Sequence, residues 1–282
     1  DAAFASLVRI SGVGAKSAIS KITLLGGLAS SVFWPIGFFL AENYGWRLAL
    51  IVYAAIALST LPLHLAIPKT RFKEQPVHEE AMHPSISPVR LDGHELKMAG
   101  ALYAMIFMLL NFLSSAMSTH MISILAGLGL GAALSVWAST LRGIGQSVAR
   151  VCEVLFGKRL HPMTLSVLAA SLLPFGFAAG FFSGQFVVAA FAFTFLFGAG
   201  NGLMTISRGT LPLVLFDSRS YGSYVGKLLM PSFLLSAVAP LVYTYIIANF
   251  GEWTALALSA AIAFVILAAS LVLKIKYGSS TT

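Results

Sequence analysis

MAGALYAMIFMLLNFLSSAMSTHMISILA, Met98 to Ala126, runs without a single Asp, Glu, Lys or Arg. A helix of that length, at 1.5 Å per residue, exceeds a hydrocarbon core of roughly 30 Å. The glycine-bearing turn Ala126-Gly127-Leu128-Gly129 follows, and then a second apolar block at 130–156, so the pair reads as two helices crossing a membrane in opposite directions. Working outward, further apolar blocks occupy 19–41, 47–67, 163–184, 186–216, 221–249 and 253–273, which makes eight. If successive blocks alternate in direction, nearly all the cations fall on one side: Arg9, Lys16 and Lys21; Lys69, Arg71, Lys73, Arg90 and Lys97; Lys158 and Arg159; Arg219 and Lys227; Lys274 and Lys276. The other side keeps Arg47, with Glu42 and Glu252. The positive-inside rule makes the first side cytoplasmic, with both ends of the chain inside.

Composition agrees with that reading. The chain of 282 residues is 58% hydrophobic and 10% charged, against roughly 25% charged in a soluble domain. Its net charge of +8 therefore points to anionic lipid headgroups and topology, not to nucleic acid. The single cysteine, Cys152, lies in an apolar block, which excludes an internal disulfide and argues against a cysteine metal site. No charged n-region with a short apolar stretch and a small-residue cleavage site opens the sequence, so a signal peptide is not expected in it. It begins at Asp1 with a loop-like Arg9-to-Lys21 stretch, and the expectation is a piece of a longer protein with further spans upstream.

Three regions follow: 1–67 with two spans, a polar linker at 68–97, and 98–282 with six spans. The linker holds Pro68, Pro76, Pro84 and Pro88 among mixed charges and three histidines, and shows no helical or strand period. Ser183-Gly184-Gln185 and Phe156-Gly157-Lys158-Arg159 are tight connections that force antiparallel neighbours. Within the spans, Gly26-Gly27, Gly143, Gly145, Gly198, Gly200 and Gly202 are small residues of the kind that bring helix backbones together in lipid. Pro35, Pro174, Pro212, Pro231 and Pro240 interrupt helix hydrogen bonding, either as packing kinks or as gating points.

Thr23-Leu-Leu-Gly-Gly-Leu-Ala-Ser-Ser-Val-Phe-Trp-Pro35, Tyr44-Gly-Trp-Arg47 and Leu61-Pro-Leu-His64 resemble the fifth and sixth helices of bacterial major facilitator superfamily transporters. Glu153-x-x-x-Gly157-Lys158-Arg159 resembles the loop joining the second and third helices of each half of that superfamily, where acid and base cap helix ends. Gly200-Asn-Gly-Leu-Met-Thr-Ile-Ser-Arg-Gly-Thr-Leu-Pro-Leu213 with Tyr221-Gly222 looks like one subgroup of its bacterial members. The resemblance covers essentially the whole chain and implies an all-α polytopic membrane bundle in which eight of twelve helices are present and the first four are missing. It makes 68–97 the central cytoplasmic loop and 98–282 the C-terminal six-helix bundle. It also implies that the third, fourth, sixth and seventh spans present line a central cavity.

A charge in mid-membrane is costly, so Arg142, near the centre of its span, is the leading functional candidate. Gln146 and Arg150 follow at spacings of four on the same helix face, and Glu153 is placed to pair with Arg150 as a structural element. Two readings of Arg142 stand: partnership with an acid or carbonyls elsewhere, or an anion-attracting group in the cavity. Arg208 reads as a snorkelling side chain or Asp217 partner, or as a substrate or gate residue. Asn201 serves either interhelical bonding or substrate. Asn111, Ser115 and His120 are polar points in the apolar Met98–Ala126 block; His120 is compatible with an interhelical bond or a proton relay.

The substrate-contact candidates are thus Arg142, Gln146, Asn201, Arg208, Asn111 and His120; the structural or gating candidates are Arg150, Glu153, Gly157, Lys158, Arg159 and Pro35. There is no phosphate-binding Gly-rich loop, no nucleophile triad, and no clustered acids for a metal, so neither an enzyme nor a metal or other cofactor is expected. The expected function is proton-coupled movement of a small solute, with an anion favoured by Arg142, across the cytoplasmic membrane by alternating access. A sensor on the same fold and a polytopic membrane enzyme are the alternatives.

Overall fold

The computed structural model describes residues 2–11, 15, 18–19, 21–22, 33, 36–37, 39–41, 43–66, 93–156, 160–216 and 221–278. Every regular element among them is a helix: α1 (Ala2–Ser11), α2 (Trp46–Ser59), α3 (Leu61–Leu65), α4 (Gly93–Gly127), α5 (Ala132–Phe156), α6 (Pro162–Gly180), α7 (Val187–Leu215) and α8 (Tyr221–Tyr277). Five stretches are long and apolar enough to cross a membrane, namely Trp46–Leu65, Gly93–Gly127, Pro162–Gly180, Val187–Leu215 and Tyr224–Tyr277. The chain is an all-helical membrane protein.

The blocks read from sequence from 47 onward coincide with these helices, with three differences. α8 has 57 residues, about 85 Å of helix, far more than one crossing. Helical geometry breaks inside it at Gly251, with φ 79 and ψ 171, so its arms, 221–250 and 252–277, correspond to the last two blocks. A positive φ of this kind suits glycine, which has no Cβ to clash. α5 is the second difference. It carries Arg142, Arg150 and Glu153 and is not among the five most apolar stretches. It is two-faced instead: Trp137, Ile144, Val148, Val151 and Leu155 are exposed, while Gly145, Ala149, Arg150 and Glu153 are buried. Third, α4 begins at Gly93, inside the stretch 68–97 read as linker. Glu95 in its first turn suits the positive end of the helix dipole, and the Tyr277 hydroxyl donates to the Glu95 carbonyl at 3.3 Å. The remainder of the linker, most of the 19–41 block with Pro35, and Gly157-Lys158-Arg159 lie outside the described residues.

Side-chain registers fix the packing. Asn111, Ser115 and His120 of α4 meet Ser232, Ser236 and Pro240 of α8 in the same order, so α4 and the first arm of α8 run parallel. Arg142 and Gln146 of α5 lie against Gly198 and Gly202 of α7, a second parallel pair. α6 runs antiparallel to α7, with Ser166 near Met204 and Gly180 near Phe193. At one end Gly127 lies against the Glu252 carboxyl, and Gly184 against the Leu128 carbonyl.

That turn is built by a glycine. Gly129 adopts φ 106, its N–H donates to Ala126 (3.0 Å), and Leu130 N–H donates to Leu125 (3.1 Å). This double bond pattern is the Schellman ending of α4. At the opposite end lie Glu95, Lys274, Lys276 and Tyr277.

The buried core runs through α4, α6, α7 and both arms of α8, with Tyr103, Phe107, Phe177, Phe193, Phe197 and Tyr243 among its largest fully buried side chains. α1 joins it where Phe4, together with Ile19, lies against Gly209 of α7. Trp46–Leu65 is different: only Ala49 is buried, and Leu63 and Leu65 are 71% and 81% exposed. Its contact is local, the Tyr53 hydroxyl donating to the Phe33 carbonyl with the two rings edge-on at 6.1 Å.

Candidate polar site between α4, α5 and α7

Three glycines determine where Arg142 stands. A Cβ on Gly198 would strike the Arg142 carbonyl, one on Gly145 the Phe195 carbonyl, and one on Gly202 would lie 2.7 Å from the Gln146 carbonyl. α5 and α7 therefore touch backbone to backbone, as small residues permit in lipid. Gly200 points elsewhere, onto Leu173 and Ala169 of α6, so the alternating glycines of α7 serve two neighbours.

From this contact the Arg142 side chain crosses to α4. Nη1 donates to Ser118 Oγ at 2.8 Å and Nη2 to Ser114 Oγ at 3.2 Å. Asn201 of α7 donates through Nδ2 to the same Ser114 Oγ at 2.8 Å. The guanidinium also lies over the Phe197 ring, 5.3 Å from its centroid, within cation–π range. Phe197 is fully buried and packed on Phe177 and Phe193, which makes it a rigid platform. No carboxylate among the described residues pairs with Arg142; its hydrogen-bond partners are hydroxyls. Ser118 is exposed, and a side chain at Gly143 would meet nothing within 4 Å among the described residues, which leave one flank of the network open. Gln146, half-buried, is on the same face of α5 one turn on.

The structure brings Arg142 and Asn201 together through Ser114 and places the other candidates elsewhere. Asn111 donates to Ser232 Oγ at 3.0 Å, and His120 Nε2 lies 3.0 Å from the Pro240 carbonyl and 3.3 Å from Thr244 Oγ1, all on the α8 side. The His120 ring is near-parallel to that of Tyr243 at 6.4 Å. Arg208 is two turns along α7, with its guanidinium over Phe233 at 5.8 Å. Arg150 is buried and donates from Nε to the Gly202 carbonyl at 3.4 Å, with buried Glu153 beside it on α5. Gly157, Lys158, Arg159 and Pro35 lie outside the described residues.

Two prolines account for a second set of bonds. Pro240 has no N–H, so the Ser236 carbonyl four residues earlier loses its helical donor; Ser115 Oγ donates to that carbonyl at 2.7 Å. Pro212 deprives the Arg208 carbonyl in the same way, and the buried Tyr103 hydroxyl donates to it at 2.8 Å. α4 thus completes the hydrogen bonding of two interrupted helices. Sequence reading missed Ser114, Ser118 and Phe197 at the Arg142 network, and Tyr103 as a proline complement. The spacing of four between Ser114 and Ser118 was a usable signal for a polar stripe; the role of Phe197 had none.

No protein-family model matches the chain, and no curated protein matches it significantly.

Proposed function

We propose that this chain forms part of a secondary active transporter of the major facilitator type, crossing the membrane eight times with its lysine-rich end cytoplasmic, and that Arg142 attracts an anionic solute. The observation that carries this reading is the setting of Arg142. It stands near the middle of a helix whose exposed face is apolar, and hydroxyls, an aromatic ring and no described acid surround it. Neutral hydroxyls occupy its N–H groups without cancelling its charge, and an uncancelled charge at membrane depth usually marks a ligand pathway. The parallel pairing of α4 with the first arm of α8, and of α5 with α7, supports a bundle whose interrupted helices can rock about such a midplane site. Lys97, Lys274 and Lys276 at one end support the assigned sidedness. Energy would come from a proton gradient.

The test is counterflow of labelled small organic anions in proteoliposomes, with and without an imposed proton gradient. Arg142→Gln and Arg142→Lys should both suppress counterflow while folded yield is retained. Binding without counterflow would indicate a sensor; normal counterflow in Arg142→Gln would remove Arg142 from the site.

A further inference from the structure

We propose that the Arg142 network is a receptor for one carboxylate group, with Ser114 and Ser118 holding its place in the observed arrangement. This deepens, and rests on, the reading of Arg142 as an anion site. Three donors converge: Nη1, Nη2 and Asn201 Nδ2, the last two sharing one acceptor, Ser114 Oγ. An acceptor at that shared position receives from guanidinium and carboxamide together. A planar guanidinium fork matches the two oxygens of a carboxylate, and such charge-assisted pairs are about twice as strong as neutral ones. A carboxylate with one oxygen between Nη2 and Asn201 and the other at Nη1 therefore displaces two neutral acceptors and cancels the charge. Released Ser114 and Ser118 hydroxyls can then donate to it, since a hydroxyl serves either role.

The surroundings narrow the class. The guanidinium carbon lies over the buried Phe197 ring, 5.3 Å from its centroid, which closes that flank to a ligand. Among the described residues, Arg142 is the one cation at this network. Arg150 is bonded to the Gly202 carbonyl further along α5, and Arg208 lies over Phe233. A phosphate or other dianion would keep charge uncompensated here, which is expensive at membrane depth. Among the described residues nothing lies within 4 Å of a Cβ at Gly143, which leaves room there for the carbon body of a small acid.

The experiment follows thermal unfolding of the detergent-purified protein against acetate, lactate and benzoate, each paired with its primary amide, and against inorganic phosphate and choline. At least one monocarboxylate should raise Tm while its amide does not. Arg142→Gln should weaken that acid at least about tenfold, the worth of a charged hydrogen bond. If Arg142→Gln does not fold, Arg142→Lys, which keeps the charge and loses the fork, should show the same weakening. The proposal is overturned if no acid stabilises, if phosphate, choline or an amide does so instead, or if the acid binds Arg142→Lys undiminished. Arg142-dependent counterflow of a non-carboxylate anion would overturn the carboxylate assignment alone. Acid binding without any counterflow would overturn the transporter reading and leave the receptor standing.

Discussion

α4 meets its neighbours along two polar edges, and the two are built differently. Toward α8 it spends Asn111, Ser115 and His120 on groups with defined needs, including a carbonyl that Pro240 has left without a donor. Toward α5 and α7, Ser114 and Ser118 receive donors from a cation whose charge they do not cancel. Ser114 and Ser115 are neighbours in sequence, yet one residue is about 100° of helix and turns them to different partners. On the first edge polar groups complete the fold. On the second, neutral hydroxyls accept from a charge without neutralising it. Substitutions on the α8 edge should therefore act on stability, and those at the Arg142 network on ligand.

The largest effect tests the support beneath the network. Gly198→Leu places a side chain against the Arg142 carbonyl, where backbone meets backbone and neither helix can yield by changing a rotamer. Overpacking of this kind costs about 1–3 kcal/mol or more, and here it should lower folded yield and abolish acid binding together. Gly143→Ala is the control, since nothing lies within 4 Å of its Cβ. Equal yields for both variants, measured by size-exclusion after detergent extraction, would mean that α5 and α7 do not touch as described.

Next comes the proline complement. Ser115→Ala leaves the Ser236 carbonyl without a donor, at about 1–3 kcal/mol. Pro240→Ala restores the N–H that the carbonyl lacks, so in that background Ser115→Ala should cost distinctly less. The non-additivity, read from unfolding in a denaturing detergent series, is the signature. Additive costs would show that Ser115 acts by packing alone. Ligand affinity should stay within about twofold throughout; a large shift would merge the two edges into one site.

The fold was far more legible than the site. Long apolar blocks announce helices because lipid leaves backbone groups no other partner, and the gap between the last two blocks brackets Gly251. α5 was legible too, since its charges share one face and its exposed face is apolar. What stayed hidden depends on tertiary register. Asn111 and His120 read as polar points alongside Arg142 as substrate candidates, but the parallel crossing of α4 and α8 carries them to Ser232 and Pro240 respectively. Ser114 and Ser118 resembled the many membrane serines that bond their own helix, as Ser118 also does to the Ser114 carbonyl. The start of α4 at Gly93 was obscured because its first turn is polar and continues the composition of the linker.

The smallest effect is the most discriminating for His120. Its Nε2 faces the Pro240 carbonyl, which Thr244 Oγ1 also approaches at 2.9 Å, and its ring lies near-parallel to Tyr243, whose hydroxyl is 2.6 Å from Ser259 Oγ. A carbonyl acceptor requires a proton on Nε2, so the bond holds equally for the neutral Nε2–H tautomer and for imidazolium. His120→Phe preserves the aromatic contact and removes one interhelical bond, worth about 0.6 kcal/mol in membrane bundles. Stability should fall by that small amount, and both counterflow and proton-driven uptake should persist. Loss of proton-driven uptake with counterflow intact would instead make His120 a proton carrier, because counterflow needs the moving bundle but no net proton movement. The α8 edge would then carry energy coupling as well as structure, and the division drawn along α4 would have to be moved to the far side of Ser115.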